Sequence, residues 1–219
     1  MEVIDFSATK KREPMKHHAA LPNSVRAIII GPSGSGKTQL LLNLIMRFMK
    51  WDKLYLVAPS VDDQRCYKVL KDYNENASEI KGESVIDFIT DIDDAPSVDD
   101  LDGDINNLVV YDDVMLDNQK NPARIFSRGR HKNTDVIYLT QRYTQIPKVI
   151  RDNCNILAVF NGVDTHTLQN IWQTWCSDMD FNGFKNYFSH AKSVPYGFIT
   201  INLHDPRSRY RIGLDQIFG

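Results

Sequence analysis

The chain has 219 residues, 42% of them hydrophobic and 25% charged, with a formal net charge of −2. That is the composition of an ordinary soluble α/β protein, long enough to bury one substantial core. No apolar run reaches the length of a membrane span, no hydrophobic segment follows the charged N-terminus as in a secretory signal, and three scattered cysteines (Cys66, Cys154, Cys176) fit a reducing compartment better than a disulfide framework or a zinc cluster.

Residues 1–23 carry Lys10, Lys11, Arg12, Lys16, His17 and His18 together with Pro14 and Pro22. They are expected to form an extended or flexible arm, with 24–219 folding as one domain. Val25–Ile30 is a near-continuous apolar run, as in a central parallel strand covered on both faces. It leads into Gly31-Pro32-Ser33-Gly34-Ser35-Gly36-Lys37-Thr38-Gln39, whose two framing glycines followed by Lys and Thr have the spacing of a phosphate-binding loop. The glycines let the backbone curl so that successive N–H groups face an anion, and the helix that follows adds its positive end. Lys37 can reach the terminal phosphates, and the Thr38 hydroxyl can take one position on Mg²⁺.

That helix is expected over 37–50, with Leu40, Leu41, Leu44, Ile45 and Phe48 on one face. A strand over 54–58 and a helix over 62–73 follow. Between Glu83 and Asp104 there are nine acids and no Lys or Arg; Val85–Ile89 reads as a short ordered piece and 91–104 as a solvated loop. Leu108–Tyr111 is a buried strand ending in Asp112-Asp113. A carboxylate at the tip of a strand beside the phosphate loop can hold Mg²⁺, usually through water, and Asp112 is the candidate for that role. Asp113 points elsewhere and is the candidate general base that polarises the attacking water.

Helix 121–130, strand 135–141, helix 146–153 and strand 155–160 come next. Helices over 163–176 and 179–191 carry Trp172, Trp175, Phe181, Phe184 and Phe188, read as core rather than as a base-stacking platform. A terminal hairpin pairs 197–204 with 210–214. Between Asn118 and Arg151 there are eight Lys or Arg and one acid, Asp135, so the small net charge leaves room for a local nucleic-acid surface.

The stretch Gly129–Phe160, with Thr140-Gln141, Ile146-Pro147, Ile150-Arg151 and Asn153 in order, resembles the glutamine-bearing strand region of the FtsK–HerA superfamily of P-loop DNA-pumping ATPases. Within that superfamily it is similar to the poxvirus-type genome-packaging ATPases of large DNA viruses and virophages. With the phosphate loop and the acid pair, the resemblance covers roughly residues 25–165. It implies a RecA-like fold with a mostly parallel central sheet, helices on both faces and an added strand between the phosphate-loop and acid-pair strands. It implies ATP with Mg²⁺ as cofactors, Gln141 as the γ-phosphate sensor, and a homo-oligomeric ring (pentamer or hexamer) around double-stranded DNA. An arginine supplied by a neighbouring subunit is expected in such rings, with Arg130 or Arg128 ahead of Arg151 as candidates. Capsid portal or vertex proteins are the implied further partners, and the host cytoplasm, a viral factory or the virion the implied setting. The function so expected is an ATP-driven translocase that packs a viral genome. The alternatives are a helicase-like or repair ATPase on single strands, and a nucleotide-gated assembly protein without translocation.

Overall fold

A computed structural model describes residues 15–62, 64–205 and 207–218. Lys10, Lys11 and Arg12 of the expected arm lie outside the described residues. Nine strands in these residues form a single sheet: β1 (Arg26–Ile30), β2 (Lys53–Val57), β3 (Ile86–Ile89), β4 (Asn107–Asp112), β5 (Thr134–Thr140), β6 (Ile156–Phe160), β7 (Phe198–Asn202), β8 (Tyr210–Ile212) and β9 (Gln216–Ile217), in spatial order β3-β2-β4-β5-β1-β6-β7-β8-β9. Strands β3 to β6 of that order pair in parallel, and β7, β8 and β9 extend the sheet antiparallel. The expected inserted strand is β5, hydrogen-bonded to β1 on one side and β4 on the other.

The central strands are apolar throughout because both faces are covered. Ile28 and Ile30 point into one core, with Ile125 and Phe126 of α3 (Lys120–Arg128), Ile150 of α4 (Lys148–Asn153), Ile171 of α5 (Thr165–Trp175) and Phe184 of α6 (Phe181–Lys192). Ala27 and Ile29 point into the other, with Leu40 and Leu41 of α1 (Lys37–Asn43) and Leu70 of α2 (Lys68–Lys81). Fully burying Leu41 or Leu70 stabilises the fold by roughly 1.5–3 kcal/mol each. Trp175, Phe184 and Phe188 are buried, so the aromatics of α5 and α6 are largely consumed by the core.

Several elements differ from the expected boundaries. The first helix does not stay α-helical to residue 50: Leu44–Phe48 is a π-helical turn, closed by the Met49 N–H donating to the Leu44 carbonyl at 2.9 Å. The helix expected over 62–73 is α2, beginning at Lys68 and running to Lys81, where Gly82 ends it with φ 77°. Val85–Ile89 contributes β3, an edge strand. Residues 15–23 are not a free arm: Lys16 and His17 both bind Asp135 at the start of β5, at 2.8 and 3.0 Å.

Candidate functional site

The phosphate loop joins the C-terminal end of β1 to the N-terminus of α1. Its turn needs left-handed backbone at Gly34 (φ 73°) and Gly36 (φ 107°), where a side chain would be strained. Gly31 is constrained by space instead: a Cβ there would come within 2.6 Å of the Phe160 Cβ. The loop is tied to its neighbour by the Gly31 N–H, which donates to the Thr140 carbonyl of β5 at 3.2 Å.

Lys37 donates from Nζ to the carbonyls of Gly31 and Pro32, at 2.8 and 2.9 Å, so the ammonium is held against the loop that it opens. Burial pulls its pKa down, opposed by the charges of Asp112 and Asp113. In the register of the sheet Ile30 pairs with Thr140, and Asp112 pairs with Leu139. The phosphate loop, Gln141 and the acid pair therefore leave the same edge of three adjacent strands. Ser33, Gly34, Lys37, Thr38, Asp112, Asp113 and Gln141 share one cleft of about 200 Å³.

The two acids are in different states. Asp112 is 6% exposed and accepts a hydrogen bond from the Tyr67 hydroxyl at 2.5 Å. Burial pushes its pKa up, the Tyr67 bond pulls it down, the charge of Asp113 raises it and Lys37 lowers it. Asp113 is exposed and sits in left-handed backbone at φ 58°. Asp tolerates that conformation better than most residues do, and a strained residue at the tip of a strand is a recurrent feature of reactive sites.

The oxygen chemistry here suits Mg²⁺. The Thr38 hydroxyl and the Asp112 carboxylate line one cleft, both hard donors. Among the described residues no three His, Cys, Asp or Glu side chains gather as a metal cage. A cation here would thus complete its shell with water and phosphate oxygens, the usual arrangement for Mg²⁺.

Other candidates fall outside this cleft. Gln39, together with Gly36, lines an adjoining one, and Ser35 and Pro32 shape the loop without lining the phosphate cleft. Arg128 and Arg130 are exposed near the beginning of β5, the far end of a seven-residue strand and so roughly 20 Å from Gln141. Arg151 is half-buried, its guanidinium 5.1 Å above the Tyr143 ring. None of the three arginines reaches the cleft of its own chain.

Two contributors were not assigned from sequence. Tyr67 donates a hydrogen bond to Asp112, and Gln64 lines the cleft while donating to the Ser60 hydroxyl at 2.7 Å. Both follow the C-terminal end of β2, next to β4 in the sheet. Ligands of open α/β sheets gather beyond those strand ends, so the segment after Pro59-Ser60 held the available signal.

Residues 14–186 match the profile of the Poxvirus A32 protein family. No curated protein matches the sequence. Among solved structures the chain is similar to B204, the DNA-packaging ATPase of Sulfolobus turreted icosahedral virus, with 13% identity, TM-score 0.59 and coverage of 90% of this chain and 99% of that one. It is similar to the genome packaging NTPase B204 of Sulfolobus turreted icosahedral virus 2, in complex with AMPPCP, with 12% identity, TM-score 0.58 and coverage of 88% and 98%. The pCW3 conjugation coupling protein TcpA matches over 90% of this chain and 62% of its own, with 13% identity and TM-score 0.53. At these identities the likeness establishes the RecA-like P-loop ATPase fold.

Proposed function

The chain belongs to the poxvirus A32 protein family, and from that premise we propose that this ATPase hydrolyses ATP to drive double-stranded DNA into a viral capsid. The observation that carries the proposal is the convergence of Lys37, Thr38, Asp112, Asp113 and Gln141 on one cleft. In this reading the loop N–H groups and Lys37 bind and orient the β- and γ-phosphates. Thr38 and Asp112 would hold Mg²⁺, which neutralises developing charge when bound. Asp113 takes the proton of the attacking water, and Gln141 positions that water against the γ-phosphate.

An arginine from a neighbouring copy completes the charge stabilisation. Arg128 and Arg130 are the better candidates: both are exposed and neither has a carboxylate partner among the described residues, whereas Arg151 is engaged with Tyr143. An active site shared between subunits requires an oligomer, which a ring supplies, and its test is mixing. Arg130→Ala and Lys37→Ala proteins, each inactive alone, should recover part of the ATP turnover when combined. No recovery for Arg130→Ala, Arg128→Ala or Arg151→Ala would remove the shared site.

The duplex-facing surface is assigned to α3. Lys120 and Arg124 stand one helical turn apart, are both exposed, and have no ion-pair partner among the described residues. A pair of that kind suits phosphate contacts that carry no sequence information. No helix among the described residues is long and apolar enough to cross a membrane; the setting we assign is the host cytoplasm or viral factory during packaging, with capsid vertex or portal proteins as docking partners.

The decisive experiment is ATP turnover with and without duplex DNA at low salt. Duplex DNA should stimulate turnover, and a Lys120→Glu, Arg124→Glu double variant should lose the stimulation while keeping its basal rate. Stimulation by single strands alone would favour the helicase-like reading, and turnover indifferent to DNA would favour a nucleotide-gated assembly protein.

A further inference from the structure

A second cleft, of about 360 Å³, opens on the other side of Gly36. Its floor is apolar: Leu40 of α1, Phe160 at the end of β6, Phe198 at the start of β7, and Leu214. The Phe160 and Phe198 rings lie 4.9 Å apart, tilted by 34°. Tyr196 stands at the mouth, 71% exposed, with no ring partner among the described residues.

This cleft shares a wall with the phosphate loop. A Cβ on Gly36 would meet Phe160 Cε1 at 3.2 Å and Tyr196 Cβ at 3.3 Å, so the loop backbone packs directly on the aromatic residues. Tyr196 is also held in left-handed backbone at φ 56°, a conformation that costs a non-glycine residue about 1–3 kcal/mol. Its surroundings enforce this. The Gly197 N–H donates to the Val194 carbonyl at 3.1 Å, the Gly197 carbonyl accepts from the Asn161 N–H at 3.1 Å, and a side chain at 197 would collide with the Ala191 backbone. A large aromatic side chain is thus kept strained and uncovered beside a phosphate-binding turn.

The opposite wall points the same way. Gln39, Asn43 and Arg47 line the cleft at four-residue intervals, and Arg47 and Phe48 belong to the π-helical turn over Leu44–Phe48. π-Helical turns inside helices are frequent at functional sites. The Asn43 amide donates to the Gln39 carbonyl at 2.9 Å, which leaves its side-chain oxygen as an acceptor, and Asp215 also lines the cleft. The cleft therefore offers a stacking surface with acceptors at its edge, which suits a purine carrying an exocyclic amino group.

We propose that this cleft is the base subsite of the nucleotide whose phosphates lie on residues 31–38, with Tyr196 as the stacking residue. The proposal rests on the ATPase reading above, and the occupant follows from continuity: any nucleotide on the loop has its nucleoside on one side of Gly36 or the other. The acid-pair side is polar, and this side is aromatic.

The test is equilibrium binding of ATP, GTP and inorganic tripolyphosphate to the full chain. Base–aromatic stacking measured by alanine substitution corresponds to a loss of roughly ten-fold or more. Tyr196→Ala should weaken ATP and GTP by about that factor and leave tripolyphosphate unchanged, while Tyr196→Phe should bind as the parent does. Tyr196→Gly relieves the backbone strain but removes the ring, so it should follow Tyr196→Ala. Wild-type ATP affinity in Tyr196→Ala would overturn the proposal, and so would equal losses for ATP and tripolyphosphate, which would mean that Tyr196 only shapes the loop. A change in oligomeric state without a change in ATP affinity would assign the cleft to a neighbouring subunit instead. Parent protein that binds neither ATP nor tripolyphosphate would sink the phosphate-loop reading itself, a result distinct from all of these.

Discussion

Asp112 and Asp135 are both buried aspartates on adjacent strands, β4 and β5, at opposite ends of the sheet, and they are treated in opposite ways. Asp135 is 1% exposed and partnered at both oxygens: it accepts from Lys16 Nζ at 2.8 Å, His17 Nε2 at 3.0 Å and the Val25 N–H at 2.7 Å. His17 is itself fixed, because its Nδ1 accepts from the Lys50 N–H at 3.0 Å, so Nε2 carries the proton given to Asp135. Among the described residues Asp112 has a single hydrogen bond, from Tyr67, and burial raises its pKa. A buried carboxylate whose two oxygens both accept hydrogen bonds, three in all, is a structural clasp. One left short of partners beside a phosphate loop is available to a cation and costs the fold stability.

That contrast is broken most sharply at the acid pair. Asp113→Asn retains a residue that tolerates left-handed backbone, so the fold should persist while ATP turnover drops by about 10²–10⁴-fold, the usual contribution of a general base. Steady-state turnover at saturating Mg²⁺ and ATP checks it, and a loss of less than ten-fold would remove Asp113 from that role.

The next effect tests the clasp. Asp135→Ala strands Lys16 and His17 and should cost about 3–5 kcal/mol in urea unfolding, as breaking one partner of a buried ion pair does. The loss should appear without nucleotide and without Mg²⁺. If instead Asp135→Ala unfolds like the parent, residues 15–23 are not pinned to the domain by this carboxylate.

Asp112→Asn should do the reverse of Asp135→Ala: lose Mg²⁺-dependent turnover and gain stability. The sign follows from linkage. With its folded pKa raised, Asp112 keeps its proton in the folded chain at a pH where the unfolded chain has released it. Its ionisation therefore destabilises the fold above the folded pKa, and the penalty fades as pH falls through that value. At pH 8 the variant should melt a few degrees higher, as about 1 kcal/mol does in a domain of this size, and the gain should vanish in acid. A lower melting temperature at pH 8 would make Asp112 a structural residue like Asp135.

How much of this was legible beforehand depends on how far apart the interacting residues lie in the chain. The phosphate loop is local, eight consecutive residues whose spacing states their chemistry, and the apolar run before Asp112 announces a buried strand tip. The insertion of β5 between β1 and β4 is a matter of topology; spacing is silent about it, and it followed from the resemblance carried by residues 129–160. The clasp at Asp135 joins residues 118 and 119 positions apart. In sequence Asp135 was only the odd acid in a basic stretch, and Lys16 and His17 looked like part of an arm. The π-helical turn was hidden because Leu40, Leu41, Leu44 and Ile45 keep a helical period until the very residues where the hydrogen bonding changes. Tyr196 gave no signal, since its strain arises from packing at Gly197 and Gly36.

The smallest predicted effect sharpens the comparison at its hinge, Tyr67. Its hydroxyl is what keeps Asp112 from being wholly unpartnered, and that bond lowers the carboxyl's pKa against the pull of burial. Tyr67→Phe removes the donor and little else, since the ring is fully buried and keeps its packing. The Asp112 pKa should then rise further. If the ionised carboxylate is the form that holds Mg²⁺, the acid limb of the turnover profile should move to higher pH and the Mg²⁺ requirement should increase at pH 6, with both differences closing near pH 9. An unchanged acid limb would mean that some other group sets it, and that Asp112 is ionised throughout the working range despite its burial.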